Sequence, residues 1–155
     1  MIKETFLSVN VESKNVLNLR MLSRKTKYGI KALTYLARQE DQVPTSIATI
    51  AESEKIPHKF LEAILLELRK NSILGSRKGK GGGYYLMQLP EKIRMSTVHR
   101  ILEGPIAMLP CVSLNFYEKC EDCVDEDACA VNKLMIQVRD NTLAILENQT
   151  LKDLI

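Results

Sequence analysis

The chain has 155 residues, 45% of them apolar, 26% charged and only 5% aromatic with no Trp, which suits a single aliphatic core of packed helices better than a β-sandwich. No run approaches the roughly 18 to 20 consecutive apolar residues of a membrane span, and the N-terminus lacks the apolar core and cleavage site of a signal peptide, so a cytoplasmic protein with no membrane partner is expected. The net charge of +3 hides an asymmetry, with 15 Lys and Arg against 7 Asp and Glu in residues 21–100 and 4 against 10 in residues 101–155; a basic half suits a polyanion, since docked cations release condensed counterions, although a solvated basic surface is the plain alternative.

Residues 1–20 mix polar and apolar types without a sustained period and read as a poorly ordered extension, with Met21 a second candidate start. A first helix is predicted from an N-cap at Ser23 to about Arg38, with Tyr28, Ala32, Leu33, Leu36 and Ala37 at three- and four-residue spacing. The stretch Glu40 to Pro44 breaks it, because Pro44 pushes its predecessor out of the α region. A short second helix follows from Thr45 or Ser46 to about Glu54, with Ile47, Ile50 and Ala51 on one face. Lys55, Ile56 and Pro57 then lead into a third helix ending near Asn71, with Phe60, Leu61, Ile64, Leu65 and Leu68 as its buried stripe. Two short helices joined by a three- or four-residue turn make a helix-turn-helix pattern, in which the second helix lies in the DNA major groove. Many α-hairpins share that pattern, so the residues that follow it matter.

They are Ile73 to Arg77, then Lys78-Gly79-Lys80-Gly81-Gly82-Gly83, then Tyr84 to Met87, which reads as strand, glycine-rich turn, strand. The cationic tip suits phosphates or a minor groove. A phosphate-binding loop is excluded because no Gly-Lys-Ser/Thr follows at the required spacing. Ser96 is expected to cap a short helix from Thr97 to Leu102, with Val98 and Ile101 facing inward and Gly104 and Pro105 closing it. Residues 105–129 show no clean period. A long helix is then predicted from Ala130 to Asn148, about 27 Å by the usual rise, with Val131, Leu134, Val138 and Ile145 on one stripe. That stripe calls for a cover, either a symmetry mate, giving a homodimer, or the molecule's own helix-turn-helix. Thr150 is placed as the cap of a last turn, Leu151 to Ile155. The expected class is therefore mostly α: an extension (1–20), a winged helix-turn-helix domain with a small β-hairpin wing (21–104), a cysteine-containing sensor loop (105–129), and a dimerisation helix with its tail (130–155).

The four cysteines are spaced Cys111-x8-Cys120-x2-Cys123-x5-Cys129. Thiolates are soft ligands, so an iron–sulfur cluster or zinc comes first and a disulfide switch second. Glu118, Glu121, Asp122, Asp125, Glu126 and Asp127 surround them; such carboxylates raise thiol pKa and disfavour an anionic cluster, yet attract a cation such as Zn²⁺. An enzyme is not expected, since His58 and His99 are the only histidines and neither has a motif linking it to a nucleophile.

Leu22-Ser23-Arg24-Lys25-Thr26-Lys27-Tyr28-Gly29, Phe60-Leu61-Glu62, Leu68-Arg69-Lys70-Asn71 and Gly79-Lys80-Gly81-Gly82-Gly83-Tyr84 together resemble the Rrf-type (BadM/IscR/NsrR/CymR) family of bacterial transcriptional regulators, over residues 21–155. The resemblance implies a homodimer on double-stranded DNA, a recognition helix in the major groove and a wing reaching the minor groove. It also implies that several members carry an iron–sulfur cluster on three cysteines just before the long helix. By position, Lys59 and Glu62 match the family's base-contacting sites, and Lys78 stands where its wing arginine lies. The candidate DNA contacts are Lys25, Tyr28, His58, Lys59, Glu62, Arg69, Arg77, Lys78, Lys80, Gly81 and Gly82, with Arg69 and Lys70 also suited to the dipole of the third helix. The candidate metal ligands are Cys111, Cys120, Cys123 and Cys129. Cys123 and Cys129 keep a family gap, whereas Asn132 replaces the histidine that serves one branch as fourth ligand. An iron–sulfur cluster is the first expectation; zinc, or no cofactor and control by a regulatory protein partner or small effector, are the alternatives.

Overall fold

A computed structural model describes residues 22–39 and 43–155; the expected extension at 1–20 and residues 40–42 of the expected break lie outside the described residues. The first helix, α1, spans Arg24–Ala37, and the Ser23 hydroxyl accepts from Thr26 N–H at 3.1 Å, satisfying one of the donors a helix start leaves open. Helix α2 is Ile47–Glu54, capped in the same way by Ser46, and Lys55 ends it in the left-handed region. Helix α3, His58–Lys70, starts directly after Pro57. Strands β1, Leu74–Arg77, and β2, Gly83–Leu86, pair antiparallel with Leu74 opposite Leu86. Helix α4 spans Met95–Leu102 and α5 Ala130–Asn148. Short 3₁₀ turns lie at Pro90–Lys92, Pro110–Val112 and Leu151–Leu154.

One aliphatic core joins these elements. Leu33, Ile50, Leu61, Ile64, Leu65, Leu68, Leu74, Ile93 and Val98 are fully buried, each such side chain contributing about 1.5–3 kcal/mol of burial. Leu151, from the last turn of the chain, enters the same core. It is held there by Leu151 N–H donating to the Ile93 carbonyl at 2.8 Å and Met95 N–H to the Gln149 carbonyl at 2.9 Å.

Two local expectations need correction. Phe60 is not part of the buried stripe: it is 39% exposed, on the flank of α3 with an edge contact from Tyr28 as partial cover. Ser96 does not cap α4, which starts two residues earlier than expected, at Met95 after Arg94; Ser96 is 2% exposed inside the first turn.

The end of α4 is fastened to the start of α1 through Glu103, whose carboxylate accepts from Ser23 N–H at 3.1 Å, from the Ser23 hydroxyl at 2.7 Å and from the Thr26 hydroxyl. Burial pushes the Glu103 carboxyl up, but these donors and the nearby His99 outweigh it, so it titrates below the ordinary range. A carboxyl lowered by folding contributes stability that is present above its unfolded pKa and lost as pH falls through the folded value. Glu103→Gln is therefore expected to lower the melting temperature at neutral pH, with the gap to wild type closing as pH falls below about 4. A gap independent of pH, measured by thermal denaturation, would remove this role.

Candidate functional site

Helix α3 divides by its own period. Leu61, Ile64, Leu65 and Leu68 face the core, leaving His58, Lys59, Glu62 and Ala63 on the exposed side. Lys59 and Glu62 thus stand on the outer face of the second helix of the motif. The other cations near this face are partly engaged. Lys25 pairs with Glu67 of α3 at 2.7 Å, both about a third exposed, and Arg69 donates to the Ser76 hydroxyl of β1 at 3.2 Å, bracing α3 on the hairpin. Tyr28 meets Phe60 edge to face, with ring centroids 5.8 Å apart.

At the hairpin tip Arg77, Lys78, Lys80 and Gly81 are exposed. Gly79 and Gly81 have φ of 94° and 76°, a left-handed backbone that glycine adopts without steric cost. Gly82 N–H closes the turn on the Gly79 carbonyl at 2.9 Å, and a Cβ on Gly82 would overlap the Arg77 carbonyl oxygen. A third strand-like segment was not legible in the sequence. Thr45 N–H donates to the Tyr84 carbonyl at 2.9 Å and Tyr84 N–H to the Thr45 carbonyl at 2.8 Å. Thr45 directly precedes Ser46, the cap of α2. The wing is thereby hydrogen-bonded to the helix-turn-helix itself; of the predicted contacts, His58, Lys59 and Glu62 lie on the outer face of α3 and Arg77, Lys78, Lys80, Gly81 and Gly82 at the wing, whereas Lys25 and Tyr28 stand on α1 and Arg69 braces β1.

All four cysteines are free, and all four line one pocket of about 330 Å³ together with Leu109, Asp122, Val131 and Asn132. Cys111 is buried and the other three are half-buried. The Cys129 sulfur caps α5, accepting from Asn132 N–H at 3.4 Å, and the Cys111 sulfur accepts from the Asn132 side-chain amide at 3.5 Å. The Cys120 thiol is pushed up to about 11, first by its hydrogen bond to Cys111, then by burial and by negative charge on Cys111, Asp122 and Cys123. Burial pushes the Cys123 thiol up, with Cys129 and Glu126 adding to it. Acidic neighbours thus act in the expected direction but rank behind the contact between thiols and burial. Among the described residues no three Cys, His, Asp or Glu side chains are grouped closely enough to hold one ion as they stand.

Two contacts at this site carry no sequence signal of their own. Tyr117 donates to Glu126 at 2.8 Å within the loop, and Arg139 of α5 donates to the Val112 carbonyl at 2.7 Å. A separate cavity of about 480 Å³ lies between α4, α5 and the 113–116 segment, with Arg100, Ile101, Phe116 and Leu143 in its wall. Among the described residues no helix is long and apolar enough to cross a membrane.

The sequence profile of the Rrf2 family, described as iron-dependent transcriptional regulators, matches residues 22–155. The chain is 39% identical over 138 residues to the rrf2-like HTH-type transcriptional regulator of Rhodobacter capsulatus, covering 87% of this chain and 92% of that protein. The solved structure of CymR, the global cysteine regulator of B. subtilis, is similar with a TM-score of 0.71 and 32% identity, over 86% of this chain and 94% of that one. IscR of T. potens is similar with a TM-score of 0.66 and 28% identity, over 86% and 84%. The mostly helical winged helix-turn-helix read from the residues is the fold of these proteins, and the chain belongs to the Rrf2 family of helix-turn-helix transcriptional regulators.

Proposed function

We propose that this DNA-binding regulator works as a homodimeric cytoplasmic repressor, reading its operator with α3 and the wing and changing affinity with the state of the Cys111–Cys129 loop. The observation that carries the DNA-reading part is the Thr45–Tyr84 pairing, which fixes a cationic wing to the helix pair whose outer face presents Lys59 and Glu62. A carboxylate such as Glu62 accepts from cytosine N4, while Lys59 reaches guanine or a phosphate. Lys78, Lys80 and Arg77 serve the backbone or the minor groove.

Helix α5 supports the dimer. Val131, Leu134 and Ile145 are 56%, 54% and 65% exposed, a run of large apolar side chains along 19 residues that a second copy would cover. Two recognition helices related by that symmetry read half-sites roughly 34 Å apart.

For the loop, the donor set supports a soft metal first. Four sulfurs on one pocket suit a soft metal site, and an iron–sulfur cluster would be held by Cys123 and Cys129 with Cys120 or Cys111. When bound it would supply a redox-sensitive group next to α5. Because thiols such as Cys120 and Cys123 are raised, capture of a metal releases protons. Zinc on the same sulfurs is the second reading, favoured by the surrounding carboxylates. A cofactor-free regulator answering a small effector is the third, favoured by the 480 Å³ cavity beside Arg100. Iron, sulfide and zinc analysis of anaerobically purified protein separates them: iron with sulfide supports the cluster, zinc alone the second reading, and neither the third.

Site-directed variants test the DNA-reading roles in one binding series. Glu62→Ala is expected to relax discrimination at one base pair by about 1–3 kcal/mol with non-specific affinity retained, while Lys78→Ala and Lys80→Ala weaken every sequence and each lower the salt slope by about 1. Loss of all binding in Glu62→Ala would make that residue structural. An unchanged slope in the lysine variants would move the phosphate contacts elsewhere.

A further inference from the structure

We propose that Asn132 is the positioning residue through which the cysteine pocket sets the orientation of α5; this rests on the pocket being the sensing element. Asn132 is the one buried residue of helix α5. The grip of that residue is on sulfur at both ends. Its backbone N–H bonds the Cys129 sulfur and its side-chain amide the Cys111 sulfur, so the first turn of α5 is tied to two of the four thiols by directional hydrogen bonds.

Seven residues on, two turns along the same face, Arg139 holds the next carbonyl of the same segment, that of Val112, with a side chain only 13% exposed. The Cys111–Val112 segment is therefore fastened to α5 at two points, one of them a thiol.

The thiols as they stand do not group three around one ion, and a metal requires sulfurs at about 2.3 Å. Ligand capture must consequently move at least one sulfur. Cys111 and Cys129, the two sulfurs bonded by Asn132, belong to the candidate ligand set, and movement of either one pulls on or releases the first turn of α5. A helix is stiff, and a tilt at that turn is carried along roughly 27 Å to its far end. Hydrocarbon at position 132 would fill the space and keep the backbone bond to Cys129, without the side-chain tie to Cys111.

The test uses the full chain, anaerobically, with and without ferrous iron plus sulfide. Wild type is compared with Asn132→Leu, which is close in volume but has no donor, and with Arg139→Met, which keeps the stem and loses the second fastening. Iron and sulfide content, hydrogen exchange of the amides of residues 133–139, and affinity for a duplex selected by wild type from a random pool are measured. Wild type should take up iron and sulfide, alter exchange across 133–139 and shift DNA affinity about fivefold or more. Asn132→Leu should take up as much iron and sulfide, with the exchange response gone and the affinity shift reduced to below about twofold; Arg139→Met should reduce both responses.

An Asn132→Leu protein that keeps the full shift overturns the proposal, and so does one that loses iron uptake, since Asn132 would then build the site and not transmit its state. If Asn132→Leu does not fold, Asn132→Ser, whose hydroxyl is too short to reach Cys111, carries the same expectations. Failure of the sensing function shows elsewhere: wild type that binds no iron, or binds it without a change in DNA affinity, removes that function and this link with it.

Discussion

Gly83→Ala is expected to cut DNA affinity by about tenfold or more, roughly 1.4 kcal/mol, while the helices stay folded. A Cβ at this position would overlap the carbonyl carbon and oxygen of Thr45 and lie 2.7 Å from Ser46 N. These are backbone atoms, and Ser46 is the cap of α2, so nothing there yields cheaply. Relief comes from parting β2 from Thr45, which breaks the two hydrogen bonds that seat the wing. Gly81→Ala is the control: its Cβ meets nothing within 4 Å, and its cost is only the positive φ of 76°, of the order of 1 kcal/mol and confined to the tip. Binding assays with far-UV circular dichroism distinguish the two. Wild-type affinity in Gly83→Ala would mean that the wing is not positioned by its contact with Thr45.

A second large effect is expected at Cys129, which has two duties that substitution can separate. As the cap of α5 its sulfur accepts from Asn132 N–H; as a pocket thiol it is one of four soft donors. Serine is a better cap than cysteine but a poor soft ligand. Cys129→Ser should therefore lose bound metal while keeping or slightly raising thermal stability. Cys129→Ala should lose both, at a cost of about 0.5–2 kcal/mol for the cap. Measured by metal content and melting temperature on the same samples, equal stability of the two variants would remove the capping role, and full metal content in Cys129→Ser would place the ligands among the other three cysteines.

Much of this molecule could be read from its residues because the signals were local. Ser23 and Ser46 stand at helix starts, Pro57 opens a helix, and the glycine run between two short apolar segments can do little but turn. What escaped was set by distant partners. Phe60 falls at the edge of the apolar stripe of α3, and periodicity alone does not tell core from flank. Ser96 has the composition of a cap, yet α4 starts two residues earlier, at Met95, which is buried. Thr45 lies 39 residues from Tyr84, beyond any hairpin pattern. At the cysteine loop, spacing identified the donors, and Asn132 stood out as a departure from a histidine ligand. That its amide reaches the most buried thiol depends on how the irregular 105–129 segment folds back on α5, which no periodicity encodes.

The burial of Leu151 has a consequence for the chain's far end. Many proteins finish in residues that can be trimmed or replaced without effect, but here the last turn supplies a fully buried side chain to the core that carries α3 and α4. The turn at Leu151–Leu154 is thereby fastened to the DNA-reading domain. Leu151→Ala would therefore act like a large-to-small substitution in the middle of the protein, and the strain it relieves or adds at the end of α5 would be felt by the helices that read DNA.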